Sequence, residues 1–346
     1  MTGLYLTAIL LGASTMLSAQ STKPTDASSR PVTDATFVNP LKRSGADPWL
    51  LYVNGEYYLS TTTGIDVRLR HAERLSELAR AKDVVVWKDS TPGRSGHIWA
   101  PEFHRLKNEA GEDRWYLYYT AAGDEEPSHR MFVAESAGDD ILGPYTFEAK
   151  LLTDPDDRHY AIDGTVFQTE DGQHYFAWCG RPSETGQGLF LSKMSNPWTL
   201  VGPRLALKAD GFGCPVVREG PAMLKRNGKL FLTYSMCGAS TPDYRLGMLV
   251  ADESADLMDP ASWKQHEKIL LSRNDKAGVY GPGHHQFFTS PDGKEDWIVY
   301  HAKTSTRDTY ADRSARAQRF TWDENGYPVF TPPVAEGESL ASPSGE

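Results

Sequence analysis

A tight hairpin signal returns along the whole chain at intervals of roughly sixty residues. Asn54-Gly55, Asp171-Gly172, Asn227-Gly228 and Asp292-Gly293 are each a dipeptide that favours a two-residue β-hairpin turn. A longer turn, Asn108-Glu109-Ala110-Gly111-Glu112, fills the gap between the first two, so successive turns stand 54, 63, 56 and 65 residues apart. Each turn lies between short runs of β type. Trp49–Val53, Glu102–Leu106, Gly164–Thr169, Pro221–Arg226 and His285–Ser290 precede the turns. EYYLS (56–60), WYLYY (115–119), HYFAW (174–178), LFLTY (230–234) and WIVYH (297–301) follow them. These runs are rich in aromatic and β-branched residues, as strands are.

A third run follows each pair: 65–72, 129–136, 188–194, 245–252 and 314–322. Val84–Trp87, Pro144–Glu148 and Trp263–Leu271 are candidates for a fourth. The predicted unit is therefore a four-stranded antiparallel sheet, repeated five times. Radial repetition of such sheets is the β-propeller, which leaves only short, protected edges. A chain of 346 residues has the length of two ordinary domains, but five units fill it as one all-β, five-bladed propeller domain over 34–335. Ala72–Lys82 breaks the pattern: Leu75, Leu78 and Ala79 have helical spacing and predict a short helical insertion inside the first unit. The residues after 335 read as a polar tail.

The one long apolar stretch is at the start. Leu4–Leu11 reads as the apolar segment of a secretory signal, with small residues and a cleavage point after Ala19. It is too short to span a membrane. Residues 1–19 are thus expected to be a signal peptide and 20–33 a Ser/Thr/Pro linker, which makes the protein secreted and extracellular. Export permits one disulfide among Cys179, Cys214 and Cys237, and the sequence leaves the pair open. A formal net charge of −10 with no basic cluster argues against nucleic acid as a partner.

In a propeller the innermost strand of each blade lines the central channel, so residues where those strands begin converge on one pocket. They read Ala46-Asp47-Pro48-Trp49, Trp99-Ala100-Pro101-Glu102, Ile162-Asp163-Gly164-Thr165, Arg218-Glu219-Gly220-Pro221 and Gly281-Pro282-Gly283-His284. Four offer a carboxylate and the fifth a histidine. Counted back from the turns, Asp163, Glu219 and His284 occupy equivalent positions and Asp47 is one residue nearer its turn. Glycoside hydrolysis needs such a set: one protonated carboxyl to donate to the leaving oxygen, and one ionised to activate water or attack the sugar. A third acid nearby raises the donor's pKa by repulsion. Trp49, Trp99, Phe103 and Trp178 are candidates for sugar-stacking faces.

From Asn39 to Phe330 the sequence resembles glycoside hydrolase family 43. The resemblance rests on the five motifs above in their order and spacing, with Arg316-Ala317-Gln318-Arg319-Phe320-Thr321-Trp322-Asp323 and Gly326-Tyr327-Pro328-Val329 closing it. It implies a five-bladed propeller, inversion at the anomeric carbon, and three roles: Asp47 as general base, Glu219 as general acid, and Asp163 raising the pKa of that acid and orienting it. It implies that no cofactor is required for the chemistry. It also sets His284 on the channel axis, with calcium or another cation near it as one reading and a channel-filling histidine as the other. Arg316 matches an arginine that contacts the sugar, with Arg313 as the competing position. Trp99 matches a residue that stacks on the sugar or packs beneath it, and Glu102 a structural acid.

Trp49-Leu50-Leu51-Tyr52, Thr61-Thr62-Thr63-Gly64-Ile65 and Gly281-Pro282-Gly283-His284-His285 look most like the exo-acting α-L-arabinofuranosidase branch. That branch releases L-arabinose from α-1,5-linked arabinan or arabino-oligosaccharides. The expected partner is accordingly a plant cell-wall polysaccharide, arabinan or arabinoxylan, acted on by a monomer. A β-xylosidase or endo-arabinanase of the same family is the alternative, and a non-catalytic glycan-binding propeller the remote one. The related retaining fructan and sucrose hydrolases would show different residues around the second and third acids.

Overall fold

The computed structural model of the chain describes Met1 and residues 35–123, 129–183 and 186–346. Apart from Met1, the expected signal peptide and linker lie outside the described residues. Residues 35 onward form five four-stranded antiparallel sheets arranged as a five-bladed β-propeller. Within each sheet the strands follow chain order. Blade 1 comprises Trp49–Val53, Glu56–Ser60, Val67–Ala72 and Asp83–Trp87. Blade 2 comprises Gly96–Lys107, Asp113–Ala122, Arg130–Ser136 and Tyr145–Lys150. Blade 3 comprises Ala161–Gln168, His174–Ser183, Gly186–Asn196 and Thr199–Ala206. Blade 4 comprises Arg218–Arg226, Lys229–Met236, Arg245–Asp252 and the two-residue Lys264–Gln265. Blade 5 comprises Tyr280–Thr289, Asp296–Lys303, Ser314–Trp322 and Pro328–Val329. The insertion in blade 1 is a single 3-10 turn, Leu75–Glu77, whose Leu75 is buried together with Leu78.

The second strands explain why these runs are apolar throughout. Successive side chains of a strand point to opposite faces, and here each blade is sandwiched between two others. Trp115, Leu117 and Tyr119 face blade 1 in one core, while Tyr116 and Tyr118 face blade 3 in another. The same alternation yields cores between blades 3 and 4, 4 and 5, and 5 and 1. The large aromatic side chains fill the widening gaps between twisted sheets.

The ring is closed by both ends of the described chain. Thr36–Val38 pairs antiparallel with Ser339–Ala341, Phe37 packs on Trp297 of blade 5, and Asn39 exchanges two hydrogen bonds of 2.9 Å with the Ala317 backbone. The segment expected to be a polar tail thus takes part in the fold. Ser344 bonds Asp292 at the blade 5 hairpin, and Glu346 accepts from the Leu75 amide.

Candidate active site

Four of the five innermost strands are distorted at the same place. In blades 2, 3 and 4 the register slips between Trp99 and Glu102, Ile162 and Thr165, and Glu219 and Ala222. In blade 5 it slips between Gly283 and His285. Bulges of this type bend a strand and re-aim its side chains. At each slip one residue has positive φ: Ala100 at 43°, Asp163 at 56°, Gly220 at 54° and His284 at 41°; Asp47, at 52°, holds the same place in blade 1. The backbone N–H of each such residue is taken up by a side chain of the preceding blade. Asp47 N donates to His301 Nδ1 (3.2 Å), Ala100 N to Thr62 Oγ1 (2.8 Å), Asp163 N to Thr120 Oγ1 (3.2 Å) and His284 N to Ser235 Oγ (2.8 Å).

Blade 4 departs from this ring in an informative way. The residue of blade 3 equivalent to Thr120 and Ser235 is Cys179, paired with Ile162. A thiol is a weak acceptor, and Gly220 N donates instead to Asp163 Oδ2 at 3.2 Å. This bond fixes the Asp163 carboxylate against the backbone that carries Glu219. A side chain at Gly220 would meet the His284 ring at 3.3 Å as well as requiring a left-handed backbone.

These distortions correct the alignment obtained by counting from the turns. Asp47, Asp163 and His284 are equivalent, but their blade 4 counterpart is Gly220. Glu219 stands one residue earlier, at the place of Trp99 and Ile162. Glu102 is two residues past the equivalent position and lies outside the cavity lining, bonded to His104 and Gln286.

Asp47, Asp163, Glu219 and His284 line one cavity of about 800 Å³. Trp99 lines it too, with its ring stacked 4.1 Å from His129. The structure does not bring Trp178 or Arg316 there. Trp178 is fully buried between Phe176 and Phe190 in the core shared by blades 2 and 3. Arg316 is likewise fully buried, with its guanidinium turned to Ser314 and Glu336. The arginine of the cavity is Arg313, just before the strand, whose Nη1 lies 2.9 Å from Asp47 Oδ1. Trp49 and Phe103 pack on each other in the core between blades 1 and 2.

The carboxyls sit in opposed surroundings. Burial pushes Asp47 up, but Arg313, then His284 and His301, outweigh it and hold the group well below the usual carboxylate range. Thr62 Oγ1 donates to its other oxygen at 2.7 Å. Burial itself keeps both imidazoles neutral: His284 is lowered and His301 falls to about 4. Arg313 is therefore the standing positive charge beside Asp47. Burial raises Glu219 to about 7; Asp47 pushes the same way, against a hydrogen bond from Tyr244 and the charge of Arg313. Asp163 is also raised, by burial and then by the charges of Glu219 and Asp47, against the bond from Gly220. Near neutrality the Asp163–Glu219 pair thus retains a proton while Asp47 is ionised.

Tyr244, which the sequence did not single out, donates to Glu219 Oε1 at 2.7 Å and stacks flat on His301 at 5.4 Å. Its ring fits because Gly283 has no side chain; a Cβ there would lie 2.4 Å from it. Thr62 and His301 do have a sequence signal. Thr62 lies two residues past the second strand of blade 1 and His301 two residues before the end of that of blade 5, equivalent places that become visible once the repeats are aligned strand by strand.

Of the two readings for His284, a cation site and a channel-filling histidine bonded to its neighbours, the contacts of the ring bear on the second. Nδ1 of His284 is 3.3 Å from Asp47 Oδ1 and 3.9 Å from Asp163 Oδ2, and Glu102 is engaged at both oxygens by His104 and Gln286. Among the described residues no group of three or more His, Cys, Asp or Glu side chains is arranged to hold a metal ion. His285 is buried against Thr233 Oγ1 at 2.6 Å. The disulfide left open by the sequence joins Cys214 to Cys237, with Cα atoms 5.0 Å apart, and Cys179 is free and buried.

The sequence model for glycosyl hydrolases family 43 matches residues 37–328. The chain is 36% identical over 323 residues to an extracellular exo-α-(1→5)-L-arabinofuranosidase of Streptomyces avermitilis, an alignment covering 87% of this chain and 64% of that protein. It therefore spans just under two thirds of that relative's length. It is also 36% identical over 280 residues to a protein of the same name from Streptomyces chartreusis, covering 78% of this chain and 83% of the relative. Among solved structures, an α-L-arabinofuranosidase from Lactobacillus brevis superimposes with a TM-score of 0.79 at 33% identity, covering 87% of this chain and 98% of that one.

Proposed function

The chain belongs to the glycosyl hydrolases of family 43, and from that premise we propose that it is an inverting, exo-acting α-L-arabinofuranosidase. Its substrate on this reading is α-1,5-linked arabinan or its oligosaccharides, from which it releases L-arabinose. The observation that carries the reading is the split in protonation within one cavity: Asp47 ionised beside Arg313, and Glu219 raised to about 7. An acid and a base so poised at one pH are what single-displacement hydrolysis requires. Asp47 takes a proton from water as the water attacks the anomeric carbon. Glu219 gives its proton to the departing glycosidic oxygen. Asp163 adds repulsion that keeps Glu219 protonated, and it ties the two blades together through Gly220. Trp99 offers a flat apolar face to the ring of the substrate.

The printed names of the Streptomyces relatives support arabinose as the sugar. They support export as well, in agreement with the leader-like start of the sequence and with the Cys214–Cys237 disulfide, a bond of oxidising compartments. No described helix is long and apolar enough to cross a membrane. Arabinan falls under the same proposal and arabinoxylan is a question for the substrate panel.

The test is product analysis on linear arabinan, branched arabinan, arabinoxylan, xylobiose and galactan, with NMR of the first-formed anomer. Arabinose released from linear arabinan with inverted configuration is the expected result. A retained anomer would overturn the mechanism, and xylose or galactose as the main product would overturn the substrate.

A further inference from the structure

The wall of the cavity next to Asp47 is a loop with little apolar material to hold it. Residues 304–313, TSTRDTYADR, join the second and third strands of blade 5 and are mostly exposed. The loop's one large apolar side chain, Tyr310, is 67% exposed at the cavity rim. Yet the loop ends in Arg313, the cation beside Asp47, whose Nε also bonds back to the Tyr310 carbonyl at 3.0 Å.

A lysine holds this loop from beneath. Lys303 is fully buried, and no carboxylate lies within ion-pair distance of its ammonium among the described residues. Nζ instead donates to three backbone carbonyls: Ser240, Arg307 at 2.7 Å and Thr309 at 3.5 Å. Two of these belong to the loop. The third belongs to the segment after the second strand of blade 4, whose Gly238 and Ala239 line the same cavity. The Thr309 amide donates to the same Ser240 carbonyl at 2.9 Å. Burying an ammonium is costly unless it is fully hydrogen-bonded, so the site has the composition of a small cation cage made of carbonyl oxygens. The ammonium occupies it on a tether.

We propose that Lys303 is a positioning residue for the reaction: its ammonium joins the blade 4 and blade 5 walls of the cavity and holds Arg313 within hydrogen-bond distance of Asp47. The inference rests on the proposed glycosidase activity for its kinetic readout, but the loop can be tested without substrate. Lys303→Ala removes the ammonium and three methylenes and leaves a cavity that propylammonium can fill, with its –NH₃⁺ among the same carbonyls.

Displacing a reacting or orienting group by about 1 Å typically costs on the order of 100-fold in rate. Lys303→Ala is accordingly expected to lose roughly 10- to 100-fold in kcat/KM on an aryl α-L-arabinofuranoside. Propylammonium should restore it several-fold, and tetramethylammonium at equal ionic strength should not, because it has no N–H to donate. The acid limb of the pH profile should rise in the variant and return with rescue. Hydrogen exchange over 304–313 should quicken in the variant and slow again with propylammonium.

Where the alanine variant does not fold, Lys303→Met keeps the stem, and the acid limb and loop exchange are measured on it. Wild-type kcat/KM, acid limb and loop exchange in a folded variant would overturn the proposal, as would rescue that is absent or equal for the two ammonium salts. If the wild type hydrolyses no glycoside, the functional reading fails instead, and the exchange experiment still decides the role of Lys303.

Discussion

Two walls of one cavity present the same functional group in opposite states. On one side Asp47 accepts from Thr62 and lies 2.9 Å from the Arg313 guanidinium. On the other, Asp163 and Glu219 have no Lys or Arg within ion-pair distance among the described residues; they share the wall with Tyr160 and Ile162 and are held by neutral donors, the Gly220 amide and the Tyr244 hydroxyl. Burial raises all three carboxyls. What separates base from acid is the company each keeps, because an opposite charge reverses the burial effect and a like charge adds to it. The chain achieves this with backbone geometry. Asp47 and Asp163 are equivalent residues of the repeat, and Glu219 enters from one position earlier on a strand whose equivalent residue is glycine.

The sharpest way to break the comparison is to remove each carboxyl in turn and vary the leaving group. A general acid matters most when the departing oxygen is basic, whereas the base is needed whatever departs. Glu219→Gln should lose about 1,000-fold or more in kcat on arabinobiose but far less on a 4-nitrophenyl arabinofuranoside. Asp47→Asn should lose heavily and equally on both. Equal losses for Glu219→Gln on the two substrates would exchange or abolish the assignments.

The pH profile sharpens the same contrast. Activity needs Asp47 ionised and Glu219 protonated, so kcat/KM should be level in mildly acidic solution and fall as pH rises past about 7. Arg313→Met removes the standing charge beside Asp47. Burial then prevails, and the acid limb should move up by about one to two pH units. Asp163→Asn removes repulsion from the other wall. Glu219 then gives up its proton more readily, and the alkaline limb should move down by about one unit. An acid limb unmoved in Arg313→Met would show that the histidines, not the arginine, hold Asp47 ionised.

Much of this was legible in the sequence, and the failures have physical causes. Five turns at near-regular spacing are enough to specify a propeller, because a four-stranded blade cannot bury both of its faces alone. Ring closure then brings Asp47, Asp163, Glu219 and His284 together. The exact equivalences were not legible, because a bulge adds a residue to one strand without leaving a mark in composition. Trp178 was misplaced because its strand is buried on both faces, so an aromatic residue there fills the gap between blades. Arg316 and Arg313 are three residues apart. The first lies within the strand and the second just before it, so one points into the fold and the other into the cavity. Tyr244 was invisible for another reason: its contact with Glu219 spans the blade, and the residue that admits its ring, Gly283, is on a different one.

The smallest effect concerns stability. A carboxyl whose folded-state pKa is raised binds protons more tightly in the native protein than in the unfolded chain. For Glu219 the penalty is absent below the ordinary value of 4.5 and grows as pH rises toward about 7, above which it is constant. Asp47, being lowered, behaves oppositely: its stabilisation is complete above the ordinary value of 3.8 and is lost only in stronger acid. Between pH 5 and 8 Asp47 therefore adds no slope, the acid wall lowers stability as pH rises, and buried histidines such as His301, lowered to about 4, act oppositely below 6.5 in wild type and variant alike. Glu219→Gln abolishes the titration, and also relieves the repulsion that raises Asp163. Relative to wild type, the variant should gain stability with rising pH, by up to about 1.4 kcal/mol per pH unit inside the window. Denaturant melts of the two proteins at pH 5 and pH 8 measure the difference directly. Parallel curves would mean that Glu219 reaches its proton-donating state only with substrate bound, and that the contrast between the two walls is completed by the sugar.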